Sequence, residues 1–175
     1  MNWKKIGEKV LFNGWRGLVQ KTFRLPDGQE ATFDVVDTSS YVTIAAFTKD
    51  KEAILVRQYR PGPEMPLVSF PEGKIEDEES PEVAAMRELT EETGYQAEKL
   101  VLLKQFRFSY RTGRRICLLA LNCKKLGAQQ LDKTEFIEVF LLPIEKFRKF
   151  LTKNEDDSFT NVDAGYLALD YMGLL

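Results

Sequence analysis

The sequence predicts a mixed α+β sandwich. Three observations point to it. Segments with strand-like patterning outnumber helical ones, and most breaks between them are short enough to make hairpins rather than crossovers. A chain of 175 residues with 43% hydrophobic content is also long and apolar enough for one globular domain with a real core.

The elements follow in order. Residues 15–24 alternate as a strand and run into Leu25-Pro26-Asp27-Gly28, a strong turn signal, with a returning strand at 30–36. Asp37 to Ser40 is a polar break. Tyr41 to Phe47 is a β segment, Lys49-Asp50-Lys51 a turn, and Ala53 to Tyr59 another strand. Pro61, Gly62, Pro63 and Pro66 mark a loop, 67–70 a short strand, and Gly73 to Glu79 an acidic loop. A helix then starts at Ser80, a good N-cap, with Pro81 where a missing N–H costs nothing and Glu82 favouring the dipole. It runs to about Thr93 and stops at Gly94. Strands are expected near 98–108, 114–123 and 136–142. Pro143 opens a helix over 144–152, a polar stretch covers Asn154 to Ser158, and a last apolar helix spans 162–172.

Composition excludes several chemistries. There is no histidine, which removes His-based triads and His metal ligands, so acid–base or metal chemistry falls to carboxylates. A net charge of -2 is not the basic surplus of a nucleic-acid binder, and none is expected as a partner. Cys117 and Cys123 lie in an apolar stretch and read as reduced, buried thiols. Residues 1–10 are polar, with no export-signal pattern, and no run approaches the ~20 apolar residues of a membrane helix. A cytoplasmic protein without membrane contact is expected.

The chemistry is concentrated in 71–95. On a helix, Glu88 and Glu92 lie one above the other, and Glu91, three from Glu88, joins the same side. Like charges so placed repel, by roughly a few tenths of a kcal/mol per pair, and a cation turns that repulsion into a site. Oxygen ligands without His or Cys suit Mg²⁺ or Mn²⁺ rather than Zn²⁺. Val83, Met86 and Leu89 lie on other azimuths and can pack toward the core. The clustering alone also fits a solvated acidic face, with Arg87 paired to Glu91 four positions on.

The spacing separates these readings. The segment resembles the Nudix hydrolase signature, Gly-x5-Glu-x7-Arg-Glu-x2-Glu-Glu-x-Gly, met here by Gly73, Glu79, Arg87, Glu88, Glu91, Glu92 and Gly94, with Leu89 in an aliphatic slot. Tyr95 departs from the aliphatic residue usual there. The resemblance implies an α/β/α sandwich around a mixed sheet. It also implies that Glu88, Glu91 and Glu92 ligate a divalent metal with help from the backbone carbonyl of Glu72, that Gly73 lets the chain bend close to the metal, and that Glu79 and Arg87 orient loop and helix by ion pairing.

Beyond the box, Val56-Arg57-Gln58-Tyr59-Arg60 and Phe33-Asp34-Val35-Val36 resemble the nucleotide-sugar branch of that family, which includes ADP-ribose pyrophosphatases. That branch often carries an N-terminal antiparallel hairpin used to dimerise. Residues 1–38 are accordingly expected to form such an element, 39–175 the catalytic domain, and the chain a homodimer. Arg57, Arg60 and Arg111 are the candidate substrate contacts, by charge-assisted bonds to phosphate. Two departures stand out: Ser69-Phe70-Pro71-Glu72-Gly73 replaces Glu-Leu-Pro-Ala-Gly, and Ser109 to Arg115 replaces a Ser-Pro-Gly turn with an arginine-rich tip. The implied reaction is Mg²⁺- or Mn²⁺-dependent hydrolysis of the diphosphate in a nucleoside diphosphate joined to a sugar. The proton goes to a box glutamate, Glu91 or Glu92, or to Glu135 on a later loop, with Glu138 the alternative there. The rival functions are a non-catalytic nucleotide-binding module, for which a lost metal carboxylate is expected, and clean-up of nucleoside triphosphates.

Overall fold

The computed structural model describes residues 2–153 and 158–175; the polar stretch expected at 154–158 lies, Ser158 apart, outside them. The chain divides into two compact units, Met1–Ser40 with Phe106–Arg115, and Tyr41–Gln105 with Ile116–Leu175.

In the first unit, strands β1 (Lys4–Phe12), β2 (Gly17–Arg24) and β3 (Glu30–Asp37) form an antiparallel meander in that order. The expected hairpin is β2–β3, turned at Gly28 with φ of 87°. The sequence reading missed β1, because neither of its faces is buried and no apolar alternation marks it. Two register shifts interrupt its ladder with β2. The rings of Trp3, Phe23 and Phe33 pack together at centroid distances of 5.4–6.1 Å. Residues 106–115 join this unit through a parallel bridge between Val36 and Arg111, and Thr112 Oγ1 donates to Asp37 Oδ1 at 2.7 Å.

The second unit carries β4 (Tyr41–Thr48), β5 (Glu52–Arg60), β6 (Met65–Ser69), β7 (Glu72–Lys74), β8 (Tyr95–Gln96), β9 (Lys99–Phe106), β10 (Arg115–Lys125) and β11 (Ile137–Pro143). Their order is β11-β5-β4-β10-β8, with β6 on β5, β7 on β4 and β9 on β10. The helices are α1 (Pro81–Thr93), α2 (Ile144–Thr152) and α3 (Val162–Tyr171). Residues 42–47 of β4 are buried without interruption, as a strand covered on both faces must be. On one face, Val42, Ile44 and Ala46 pack with Leu118, Ala120 and the α1 residues Ala84, Ala85 and Leu89. On the other, Phe47, Phe70, Phe147 and Phe159 meet at centroid distances of 5.5–6.0 Å, mostly edge to face, beneath α2 and α3. This is the expected sandwich. Among the described residues no helix is long and apolar enough to cross a membrane.

The helix that bears the acidic cluster has both ends fixed locally. Ser80 Oγ accepts from the Val83 N–H at 3.3 Å, Pro81 opens the first turn, and Gly94 closes the helix in the left-handed region with φ of 73°. A Cβ at Gly94 would also land on the carbonyl oxygen of Gly127. Gly94→Ala is therefore expected to lower the unfolding free energy by about 2–4 kcal/mol, against about 1 kcal/mol for Ser80→Ala. Urea titrations of the two variants check this, and a Gly94→Ala loss no larger than that of Ser80→Ala contradicts it.

Candidate active site

The site is assembled where β7 meets α1. The segment between β6 and β7 lies against β4, with the Ile44 N–H on Pro71 O at 2.9 Å and with Val42 opposite Gly73 and Thr43 opposite Glu72. Gly73 has a steric role. A Cβ there would fall on the carboxylate of Glu88, so the missing side chain is what lets α1 bring Glu88 down onto the strand.

Arg87 ties the box together. Its guanidinium donates to both carboxylate oxygens of Glu79 at 3.0 and 2.9 Å, to Glu88 at 2.8 Å, to Glu91 at 3.0 Å and to Lys74 O at 2.9 Å. Glu79 Oε2 also accepts from the Glu76 N–H at 3.1 Å. The Arg87 bonds hold the Glu79 carboxyl below its ordinary range, and the same bonds push Arg87 further up. A planar fork with five N–H donors serves this many acceptors, which an ammonium group cannot. Glu79 and Arg87 thus join the loop to the helix.

Glu92 is the buried member. It is 6% exposed, and Oε2 accepts from the Glu72 N–H at 3.1 Å. Burial pushes its carboxyl up to about 8, with the charges of Glu88, Glu72 and Glu135 adding to the effect and the Glu72 N–H opposing it. Burial also raises Glu88, with Glu91 and Glu135 contributing and Arg87 opposing. The backbone around Glu92 is held by Gln129, whose Nε2 donates to Glu92 O at 2.6 Å and to Ile137 O at 3.0 Å.

The three box carboxylates do not converge on one point as the helical stacking suggested. Arg87 draws Glu88 and Glu91 to itself while Glu92 turns to the Glu72 peptide, and among the described residues no three acidic groups form a ready ligand set. The donor chemistry nonetheless fits a hard divalent cation. The set is all oxygen, Glu92 is desolvated among like charges with one backbone N–H to offset it, and Gly73 leaves the Glu88 carboxylate a seat against the strand. Glu88, Glu91, Glu92 and the Glu72 carbonyl are the groups that would hold such an ion.

Glu135 sits in a turn in which its backbone N–H donates to Asp132 O at 2.9 Å and its Oε2 accepts from the Asp132 N–H at 3.1 Å. Its charge acts on both Glu88 and Glu92, so the sequence candidate on the later loop stands beside the box. Glu138 does not share that position. It lies opposite Arg57 across the β11–β5 ladder and pairs with it at 2.8 Å, and Arg57 also lies over the Phe140 ring at 5.1 Å. Arg57 and Glu135 both line an open cleft of about 490 Å³ with Tyr59 and Phe136, the latter 80% exposed. Arg60, half-buried, ends the same strand opposite Met65. Arg111 belongs to the first unit, over the Phe108 ring at 5.3 Å.

Three residues at the site went unnoticed in the sequence: Thr43, Gln129 and Asn161. Thr43 Oγ1 and Asn161 Nδ2 each donate to Glu72 Oε1 at 2.8 Å. An amide or hydroxyl in a strand or before a helix carries no distinguishing pattern. Asn161 reads from sequence only as a helix start.

The chain matches the family model of the NUDIX domain over residues 38–162. It is 34% identical over 171 residues to the methanol dehydrogenase activator of Bacillus methanolicus, covering 95% of this chain and 92% of that one. It is 33% identical over 156 residues to an ADP-ribose pyrophosphatase of Bacillus subtilis (strain 168), covering 87% and 84%. A crystal structure described as that of an ADP compounds hydrolase shares the fold with a TM-score of 0.85, at 23% identity, over 100% of this chain and 98% of that one.

Gly73→Ala tests the seat for Glu88. The clash falls on the free end of a flexible side chain, so the fold is expected to survive with a melting temperature within a few degrees of wild type. Stabilisation by added Mn²⁺ is expected to disappear. A thermal melt with and without the ion reads both, and an unchanged Mn²⁺ shift in the variant rules the arrangement out.

Proposed function

The chain belongs to the Nudix family of hydrolases, and from that premise we propose that it hydrolyses the diphosphate linkage of a nucleoside diphosphate joined to a sugar, ADP-ribose first among them, with Mg²⁺ or Mn²⁺. The observation that carries this reading is a complete box in which Glu92 is buried beside Glu88 and Glu135 with Gly73 leaving room for the carboxylates. A non-catalytic sensor of the same fold has no need to keep every carboxylate. The pyrophosphatase relative from Bacillus subtilis supports the substrate class, since the similarity runs through most of both chains. The description of the Bacillus methanolicus relative names an effect on a dehydrogenase rather than a chemistry, and is compatible with the same hydrolytic site.

Diphosphates resist attack because their oxygens repel the nucleophile. Glu88, Glu91, Glu92 and the Glu72 carbonyl would hold divalent cations, which would supply charge neutralisation and a more acidic water. The chain's own groups do the rest. Arg87 and Glu79 keep α1 and its loop in register, so that the helix bearing the carboxylates is already in place when substrate arrives. Glu135 takes the proton of the attacking water, a role suited to a carboxylate at the rim of the box. Arg57 and Arg60 meet the diphosphate, Arg57 by exchanging its bond to Glu138, and Arg111 is the remaining candidate for a substrate contact. Tyr59 and Phe136 offer exposed faces to the base.

The test is a panel of ADP-ribose, other nucleotide sugars, dinucleoside polyphosphates, oxidised nucleoside triphosphates and nicotinamide dinucleotide, ranked by kcat/KM with excess Mg²⁺. A diphosphate-linked compound is expected to lead. A triphosphate preferred by tenfold or more, about 1.4 kcal/mol in transition-state binding, overturns the assignment. On the leading substrate, Glu92→Gln is expected to remove nearly all turnover in a folded protein. Glu135→Gln is expected to lower kcat by about a hundredfold with little change in KM, and a change confined to KM reassigns it to binding.

The same reading makes the protein a cytoplasmic homodimer joined through the β1–β3 meander. Val10, Leu11, Phe12 and Trp15 are exposed on an edge strand and its turn, and the two cysteines are buried thiols rather than a disulfide, Cys123 with its thiol pushed up to about 12 by burial. Sedimentation equilibrium at micromolar concentration is expected to give twice the chain mass, falling to the chain mass when Val10 and Phe12 are both changed to Glu. A wild-type monomer contradicts the dimer.

A further inference from the structure

Asn161 stands at the first position before α3, where asparagine ordinarily caps the helix with its side chain. Here it does not. No side-chain cap bond is formed, and the amide is 2% exposed and turned instead toward the box. Its Oδ1 accepts from the Phe70 N–H at 2.8 Å, and its Nδ2 donates to Glu72 Oε1 at 2.8 Å. The residues just ahead of it run along β6 as a short parallel bridge, with the Val68 N–H on Ser158 O at 2.8 Å and the Thr160 N–H on Val68 O at 3.0 Å. The bonding row thus passes from Val68 to Phe70 to Glu72, and its last two partners come from one side chain.

What lies at the end of that row matters to the chemistry. Glu72 Oε1 is held from two sides, by Thr43 and by Asn161. The same residue gives its N–H to Glu92 Oε2 at 3.1 Å, and its carbonyl precedes Gly73, against which Glu88 rests. We infer that Asn161 is a positioning residue for the cation site, acting through the Glu72 side chain to hold the Glu72–Gly73 peptide and, with it, Glu92. The inference rests on the reading of the box as a divalent-cation site. It gives α3, at the far end of the chain, a direct hold on the box. A group that orients a ligand from outside typically changes metal affinity by about 10- to 100-fold when removed.

Asn161→Asp separates this role from a merely structural one. The carboxylate still accepts from the Phe70 N–H, so the clamp on the backbone survives, but it has no proton to give Glu72 and faces it with a like charge. Glu72→Gln combined with Asn161→Asp restores the bond with donor and acceptor exchanged. Mn²⁺ binding is measured by calorimetry on each protein, and the half-saturating Mg²⁺ concentration for turnover beside it. Asn161→Asp is expected to weaken Mn²⁺ binding and raise the Mg²⁺ requirement by at least tenfold, and the double variant to return both to within about threefold of wild type. A folded Asn161→Asp protein with lowered thermal stability and an unchanged metal response makes the residue structural and overturns the inference. So does a double variant that fails to fold or fails to recover. If the single variant does not fold, the double variant decides alone. Wild-type protein that binds no Mn²⁺ removes the cation reading itself, a result distinct from wild type binding normally while the variants bind equally well.

Discussion

Arg87 is the point at which the charges of the box are reconciled. One guanidinium meets Glu79, Glu88, Glu91 and the carbonyl of Lys74, joining α1 to the loop that leads into it. Without it, four acidic residues packed between a strand and a helix would repel one another at short range. The geometry is demanding because Glu79 is 11% exposed in its side chain and takes two of its three bonds from the same fork, the third coming from the Glu76 N–H. Burying such a group is tolerable only when its partners are fixed, and a planar donor on a helix supplies that. The arrangement draws two carboxylates, Glu88 and Glu91, to one guanidinium and leaves Glu92 to the backbone of Glu72.

The sheet carries that arrangement on one face and the phenylalanine cluster on the other. Because β4 is buried on both sides, its alternating residues belong to different layers: Val42, Ile44 and Ala46 support α1, while Phe47 meets the rings under α2 and α3. Phe70 is the link. It lies in the segment that enters the box, packs against Phe47, Phe147 and Phe159, and gives its N–H to Asn161. Two hydrogen bonds through Asn161 thus join the ring cluster beneath α2 and α3 to Glu72.

Local signals made much of this legible. The caps of α1 could be read to the residue, since Ser80, Pro81 and Gly94 each impose a backbone conformation on their own neighbourhood. The spacing of Gly73, Glu79, Arg87, Glu88, Glu91 and Glu92 identified the box for the same reason: a strand, a turn and a helix in succession fix their relation. What the sequence did not reveal depends on distant partners. Strand β1 is held by its ladder with β2 and buries almost nothing, so it has no hydrophobic period to read. The tip at 106–115 joins the meander through Val36, Asp37 and Thr38, more than seventy positions away. Helical spacing placed three carboxylates on one side but was silent on which way each side chain turns, and that is decided by Arg87 and by the Glu72 N–H.

The replacement of an alanine by Glu72 ahead of Gly73 gains a physical meaning from these contacts. A carboxylate beside Glu92 adds to the charge that opposes ionisation there, and by itself it would disfavour the folded site. Thr43 and Asn161 offset that by donating to the same oxygen, which fixes the side chain and with it the peptide that Glu92 leans on. Ser69, which follows Val68 at the end of β6, is buried without a charge of its own. The segment thus carries its one carboxylate at 72 rather than at 69, and that carboxylate is tied back to the protein by two donors. A side chain held in this way is suited to setting the backbone of the site, while the carboxylates on α1 remain the groups that would hold a cation.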